Sequence, residues 1–477
     1  MAGGPEEART RLVDELRASG RLTSATIEAA FRAVPRHVFL PELDPVSQAY
    51  QDEAFVIKTN EGGLPVSSSS QPAIMAIMLE QLGVAPGQRV LEIGTGTGYN
   101  AALMSRLVGP DGSVVTVDID PDLAERARAS LAAAGYPDVV VICGDGGFGA
   151  REFAPYDRII VTAGASDLAP EWLAQLGPGG RIALPLGLRG IQLCLALERS
   201  GDRAWRSRSA CRCGFIRMAG SYAAAADSYV PVGPQPGLHV QTDGQPVAAD
   251  VLWSELNGPV TDVLTGVRVA GLAELGEADL WVTVGERGLS RLTIIGGGSL
   301  RGSVLPLLPF GALATTAAEG LGVAGLLPAA PPSPIGDPEG YPGRRDRLGR
   351  REDPGCREDP GCREDPACRE DPGCREDPGC REDPGRREHL SHWERRFGEF
   401  EIAVRGFGPW GALLAERLAS RVVAWRSAGR PRAATLVVTA YPRRGEDDVP
   451  EVPEIAPGQI IVDRPHTRLV LAWPLTP

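Results

Sequence analysis

The run Val90-Leu91-Glu92-Ile93-Gly94-Thr95-Gly96-Thr97-Gly98-Tyr99 constrains the fold of this chain more than any other segment of it. An apolar strand leads directly into glycines at alternate positions and then into a helical pattern over Tyr99–Leu107. Glycines placed this way let the backbone turn tightly and pass close to a bound nucleoside. On either side, strand-like runs at Arg89–Ile93, Ser113–Ile119, Val139–Cys143, Arg158–Thr162 and Arg181–Leu184 alternate with helical patterns at Pro72–Leu82 and Asp122–Ala134. That alternation predicts an α/β, Rossmann-like fold, a doubly wound and mostly parallel sheet.

Spacing narrows the choice of nucleoside. A dinucleotide fingerprint, G-x-G-x-x-G, requires glycine where Tyr99 stands, whereas G-x-G-x-G with an acid before it is the pattern of S-adenosylmethionine binders. Asp118 ends the next strand, where a carboxylate can accept hydrogen bonds from ribose hydroxyls, and Ile119 follows it. Cys143-Gly144-Asp145-Gly146 ends the third strand, where Asp145 can take an adenine amino group. The expected cofactor-binding set is therefore Glu92, Gly94, Gly96, Gly98, Tyr99, Asp118, Ile119, Asp145 and Gly146. Taken singly, the glycines could be no more than a tight turn and Asp145 no more than a turn former. Acids at three successive strand ends favour the nucleoside.

The rest of the chain divides by pattern. Thr10–Arg32 has helical spacing, so residues 1–70 read as a helical prelude within a nucleoside-binding domain, 1–228. Beyond an alanine-rich boundary, β-type runs at Val251–Trp253, Leu280–Val284 and Leu292–Ile295 predict an α+β accessory domain over 229–330 and 388–477. Its second part holds an alternating run at Phe397–Val404, an amphipathic one at Trp410–Trp425, and strands at Ala434–Ala440 and Leu469–Trp473. Between them, 331–387 is rich in proline, glycine and charge, and Arg351–Arg386 repeats the unit Arg-Glu-Asp-Pro-Gly-Cys with small changes. Such a segment cannot bury enough apolar surface to offset its backbone entropy, so disorder is expected there.

A formal net charge of −12 disfavours nucleic acid or anionic lipid as partners. Pro306, Pro309 and Glu319 interrupt the most apolar stretch, which predicts no membrane span. The charged first residues are unlike a secretory leader, so a cytoplasmic location is expected. Five of the nine cysteines belong to the repeat, and Cys211-x-Cys213 is too closely spaced for a usual zinc clamp, so no metal is expected. A nucleophilic hydrolase is disfavoured because no G-x-S-x-G elbow follows a strand.

Several blocks together resemble the protein-L-isoaspartate O-methyltransferase family. They are Val34-Pro35-Arg36-His37-Val38-Phe39-Leu40-Pro41, Ser70-Gln71-Pro72, the glycine loop through Ala102, Gly144-Asp145-Gly146, Pro155–Ala163 and Leu176–Arg181. The resemblance implies methyl transfer from S-adenosylmethionine to an aspartyl or isoaspartyl carboxylate of a peptide or protein, leading to succinimide and isoaspartate. It places the catalytic serine at Ser70, with the register open over Ser67–Ser70 because serines stand where the family usually has threonine and isoleucine. His37 reads as a packing or capping residue rather than a catalyst. The C-terminal segments Gly406–Gly411 and Tyr441-Pro442 resemble methyltransferases of lanthipeptide maturation, including those of the FxLD system, which implies a modified precursor peptide as partner. General isoaspartyl repair is the alternative, and a non-catalytic cofactor- or peptide-binding module is a second.

Overall fold

The computed structural model describes residues 4–223 except 62 and 64, and then 229–234, 238–241, 247–286, 289–294, 312–315, 323–328, 399–443, 450 and 458–474. The repeat Arg351–Arg386 and the whole expected insertion 331–387 lie outside the described residues.

Two helices open the chain where the spacing predicts them, α1 (Pro5–Ala18) and α2 (Ala25–Ala33). Ser24 caps α2 by accepting from the Ile27 amide, and Leu12, Leu16, Ile27 and Phe31 form the buried face. A hairpin follows that local patterning does not reveal: β1 (Phe55–Thr59) and β2 (Pro65–Ser69), with Phe55 opposite Ser69. It turns part of the serine run into a strand. The predicted helix α3 (Pro72–Leu82) starts on a proline and ends at Gly83, whose φ is +64°.

The predicted alternation then runs through β3 (Arg89–Ile93), α4 (Tyr99–Val108), β4 (Ser113–Asp118), α5 (Pro121–Ala133), β5 (Val140–Cys143), β6 (Tyr156–Val161), α6 (Pro170–Gln175) and β7 (Leu176–Leu188). The strands lie parallel in the order β5-β4-β3-β6-β7. The chain moves outward from β3 to β5 and then returns to β6 on the other side of β3. The connections leaving β3 and β6 therefore diverge, and a crevice opens at their carboxyl ends. Two antiparallel strands, β8 (Ile191–Ser200) and β9 (Ala204–Cys213), extend the sheet beyond β7.

A second, wholly antiparallel sheet follows: β10 (Tyr229–Pro231), β11 (Leu238–Gln241), β12 (Val260–Val269), β13 (Leu289–Ile294), β14 (Ala312–Thr315), β15 (Val323–Pro328) and β16 (Phe400–Phe407), in the order β10-β11-β13-β14-β15-β16-β12. Its helices are α7 (Ala249–Leu256), α8 (Leu272–Gly285) and α9 (Gly408–Ser427). Leu414, Leu418, Val422 and Trp425 of α9 share one buried core with Val267, Ile402 and Val404 of the sheet.

The structure corrects two expectations here. Val251–Trp253 and Leu280–Val284, read as β-type runs, lie inside α7 and α8. Leu252 and Leu256 stack one helical turn apart in α7, while α8 is buried over so much of its circumference that its period is hidden. The second correction concerns residues 388–477. The strands β17 (Val437–Pro442), β18 (Ile460–Asp463) and β19 (Thr467–Ala472) leave the second sheet and join the first, β17 pairing with β9. Among the described residues the first sheet thus has ten strands, in the order β18-β19-β17-β9-β8-β7-β6-β3-β4-β5. Alternation along a strand tells which face is buried, and not which edge the strand joins.

Candidate active site

The glycine loop turns at the carboxyl end of β3 in left-handed backbone, with φ of +99° at Gly94, +52° at Gly96 and +87° at Gly98. A Cβ on Gly94 would stand 2.6 Å from Thr162 Oγ1, and one on Gly98 would stand 3.2 Å from Leu131 and 3.3 Å from Ala127. Conformation opposes a larger residue at both positions, and at Gly94 space excludes one as well. Thr162 Oγ1 donates to the Gly94 carbonyl at 2.6 Å and ties the loop to the end of β6.

The acids at the strand ends differ in what they do. Asp118 is 9% exposed and lines the crevice, with Oδ2 accepting from the Gly96 amide at 2.9 Å and Oδ1 from the Asp120 amide at 3.1 Å. Burial raises its carboxyl above the ordinary range. Glu92 is fully buried, its oxygens accepting from Asn100 Nδ2 at 2.8 Å and Thr116 Oγ1 at 2.7 Å. Burial pushes it up to about 7 in spite of those bonds. Asp145 faces elsewhere: Oδ2 accepts from the amide and hydroxyl of Ser221 at 2.7 Å each, and Oδ1 from the Gly147 amide at 2.9 Å. Burial works against ionisation of Asp145, but these hydrogen bonds prevail and hold its carboxyl below the ordinary range. Asp145 thus anchors the Ser221 loop through Oδ2, while Oδ1 carries one amide bond and keeps acceptor capacity.

The crevice encloses a cavity of about 350 Å³. Ser67, Ser68, Ser69 and Ser70 all line it, close to Gly96, whose Cβ would lie 3.7 Å from the Ser68 carbonyl. Tyr99, Ile119 and Gly146 line it as well; Gly146 packs so closely that a Cβ would lie 2.5 Å from Ile93. The Tyr99 ring belongs equally to the N-terminal core, edge-on to Phe31 at 6.3 Å and 5.6 Å from the Phe39 ring.

Two features of the site escaped the sequence reading. Arg36 is completely buried, stacked 5.5 Å from the Phe55 ring and 5.8 Å from the Tyr99 ring, and burial lowers its guanidinium to about 10. It donates to the carbonyls of Ala49, Gln51, Glu53 and Ser70, and to Ser69 Oγ at 3.4 Å. Its neighbour His37 bonds Tyr50 OH at 2.7 Å, in keeping with a packing role. The second feature is the segment after β9, whose residues Phe215, Ile216, Arg217, Met218 and Ala219 line the cavity. It has no periodicity and no glycine pattern to announce it.

The sequence profile of the protein-L-isoaspartate(D-aspartate) O-methyltransferase family matches residues 7–223. The chain is 42% identical over 214 residues to the protein-L-isoaspartate O-methyltransferase of Methanopyrus kandleri, covering 92% of that protein and 45% of this one. It belongs to the protein-L-isoaspartate(D-aspartate) O-methyltransferase family. A second relative, protein-L-isoaspartate O-methyltransferase 2 of Archaeoglobus fulgidus, is 40% identical over 220 residues, covering 95% of that protein and 46% of this chain. A solved protein-L-isoaspartate O-methyltransferase structure aligns over 90% of this chain and 96% of its own, with a TM-score of 0.44 and 22% identity.

This is a family of S-adenosylmethionine-dependent methyltransferases, and the residues present fit that cofactor. The loop lacks side chains at Gly94 and Gly96, which line the cavity, and the Asp118 oxygens keep acceptor capacity beyond their bonds to backbone amides. The seven-stranded sheet and β17–β19 of this methyltransferase lie outside the matched residues.

Proposed function

We propose that the chain methylates the side-chain carboxylate of an isoaspartyl or aspartyl residue in a peptide or protein, with Ser70 orienting the acceptor. The observation that carries this reading is one cavity lined both by the glycine loop with Asp118 and by Ser67–Ser70. When bound, S-adenosylmethionine supplies an activated methyl group. Gly94, Gly96 and Asp118 would hold its nucleoside, Gly98 lets the loop turn against α5, and Glu92 braces the loop from beneath through Asn100. An acceptor carboxyl with an ordinary pKa of about 4 is already ionised near neutral pH, so the chain needs to align it rather than deprotonate it. Arg36 and Asp52 fix the serines for that purpose: Arg36 holds the Ser70 carbonyl, and Asp52 accepts from Gln71 Nε2 and the Ala73 amide at the start of α3.

Two acceptors suit this chemistry. The names of the relatives favour an isoaspartyl residue of a protein as acceptor, which fits general repair. The second sheet, beyond the family match, supports a more selective reading in which a constrained, lanthipeptide-type precursor is recognised and a normal aspartate is esterified. Purified protein given labelled S-adenosylmethionine and either a linear isoaspartyl peptide or a modified precursor will form base-labile methyl ester. Preference for the linear peptide identifies repair; no ester with any carboxylate peptide would defeat the proposal.

A further inference from the structure

We infer that Arg217 receives the acceptor carboxylate and sets the preference for an anionic side chain, an assignment that rests on the methyl transfer proposed above. The charged residues lining the cavity are Glu92, Asp118, Asp120 and Arg217, so Arg217 is the one cation among its described lining residues. The acceptor must be anionic to attack a methyl carbon, yet a carboxylate entering a low-dielectric crevice beside acids is repelled unless a cation stands with it. Asp120 is partly compensated by Lys58, whose Nζ lies 2.6 Å away and outside the lining, while Asp118 is bonded only to backbone amides among its described partners. The serine hydroxyls can orient a carboxylate but bring no charge to it. A guanidinium brings both, because its fork of N–H groups matches the two oxygens of a carboxylate.

The backbone around Arg217 is built to hold a position. Gln192 clamps Phe215 at two points, its Oε1 accepting from the Phe215 amide at 2.6 Å and its Nε2 donating to the Phe215 carbonyl at 3.0 Å. Gly164, just past β6, pairs with Arg217 in a parallel bridge, donating to the Ile216 carbonyl at 2.8 Å and accepting from the Met218 amide at 3.0 Å. Farther on, Ser221 is fastened to Asp145. Arg217 thus sits between fixed points on a strap tied to β8, to the end of β6 and to the end of β5. A loosely held surface arginine loses much of its attraction to side-chain entropy, and this anchoring limits the backbone share of that loss.

The cofactor's own carboxylate offers the same chemistry, so the test separates the two anions. Calorimetry would measure S-adenosylhomocysteine binding to native protein, Arg217→Gln and Arg217→Lys. With S-adenosylhomocysteine saturating, it would then measure an isoaspartyl peptide and its isosteric side-chain amide. Native protein should favour the acid over the amide by about ten-fold or more. Arg217→Gln should abolish that preference and raise KM for the acid peptide by a similar factor, Arg217→Lys should restore part of it, and S-adenosylhomocysteine affinity should stay within about two-fold throughout. Equal weakening of S-adenosylhomocysteine would assign Arg217 to the cofactor carboxylate and overturn the inference, as would an unchanged acid-to-amide ratio in Arg217→Gln. Native protein that binds no S-adenosylhomocysteine would instead bring down the methyltransfer reading, and this assignment with it.

Discussion

Arg36 Nη2 donates to the Ser70 carbonyl at 3.0 Å, so a fully buried guanidinium in the N-terminal prelude holds the residue proposed above to orient the acceptor. Its acceptors are four carbonyls and a serine hydroxyl, drawn from 49–53 and 69–70, and it is the post around which the approach to α3 is wound. Arg36→Met keeps most of the volume but leaves those carbonyls without donors. Urea unfolding should show a loss of about 3 kcal/mol or more, with Arg36→Lys recovering only part. A loss below about 1 kcal/mol would show that water replaces the guanidinium without difficulty.

Gly94→Ala places a methyl group within 2.6 Å of Thr162 Oγ1 in backbone with φ of +99°. The strain should cost about 1–3 kcal/mol in unfolding experiments. Displacing the loop should weaken S-adenosylhomocysteine by about ten-fold or more, by calorimetry. Unaltered affinity would mean that the nucleoside does not rest on this turn.

Glu92 gives a pH signature. Its carboxyl lies near 7 in the folded protein because of burial, against an ordinary value of 4.5. Between those values the folded state keeps a proton that the unfolded chain has released. The associated stability is complete below about pH 4.5 and is lost as pH rises through about 7. Glu92→Gln cannot ionise, so relative to the native protein it should gain stability across that window, levelling off at about 3 kcal/mol above it. Urea titrations over the range test this; parallel curves would show that Glu92 is ionised throughout.

Asp167, past β6, accepts from the His466 amide at 2.6 Å and from Thr467 Oγ1, and so ties the turn between β18 and β19 to the methyltransferase core. Asp167→Ala should lower stability by about 2 kcal/mol, and hydrogen exchange should quicken first in β17–β19. Uniform exchange over the whole chain would mean that the added strands unfold only with the core.

The parallel half of the sheet, the glycine turn and Asp118 were legible in the sequence because each is a local pattern: an apolar strand, residues that alone tolerate left-handed backbone, an acid at a strand end. Glu92 could be located in the same way, although its fully buried bonds to Asn100 and Thr116 could not. Long-range pairing decided the rest. Nothing in Val437–Pro442 specifies the free edge of β9 as its partner, and nothing near Asp145 announces Ser221, because edge choice and loop anchoring depend on groups that meet only after the chain has folded. The sequence by itself determined what kind of nucleoside this chain can cradle. Only the tertiary structure decided which distant groups serve the cavity, Arg36 bonded to Ser69 and Ser70 behind its lining and Arg217 on the lining itself, since burial and charge compensation belong to the packed molecule.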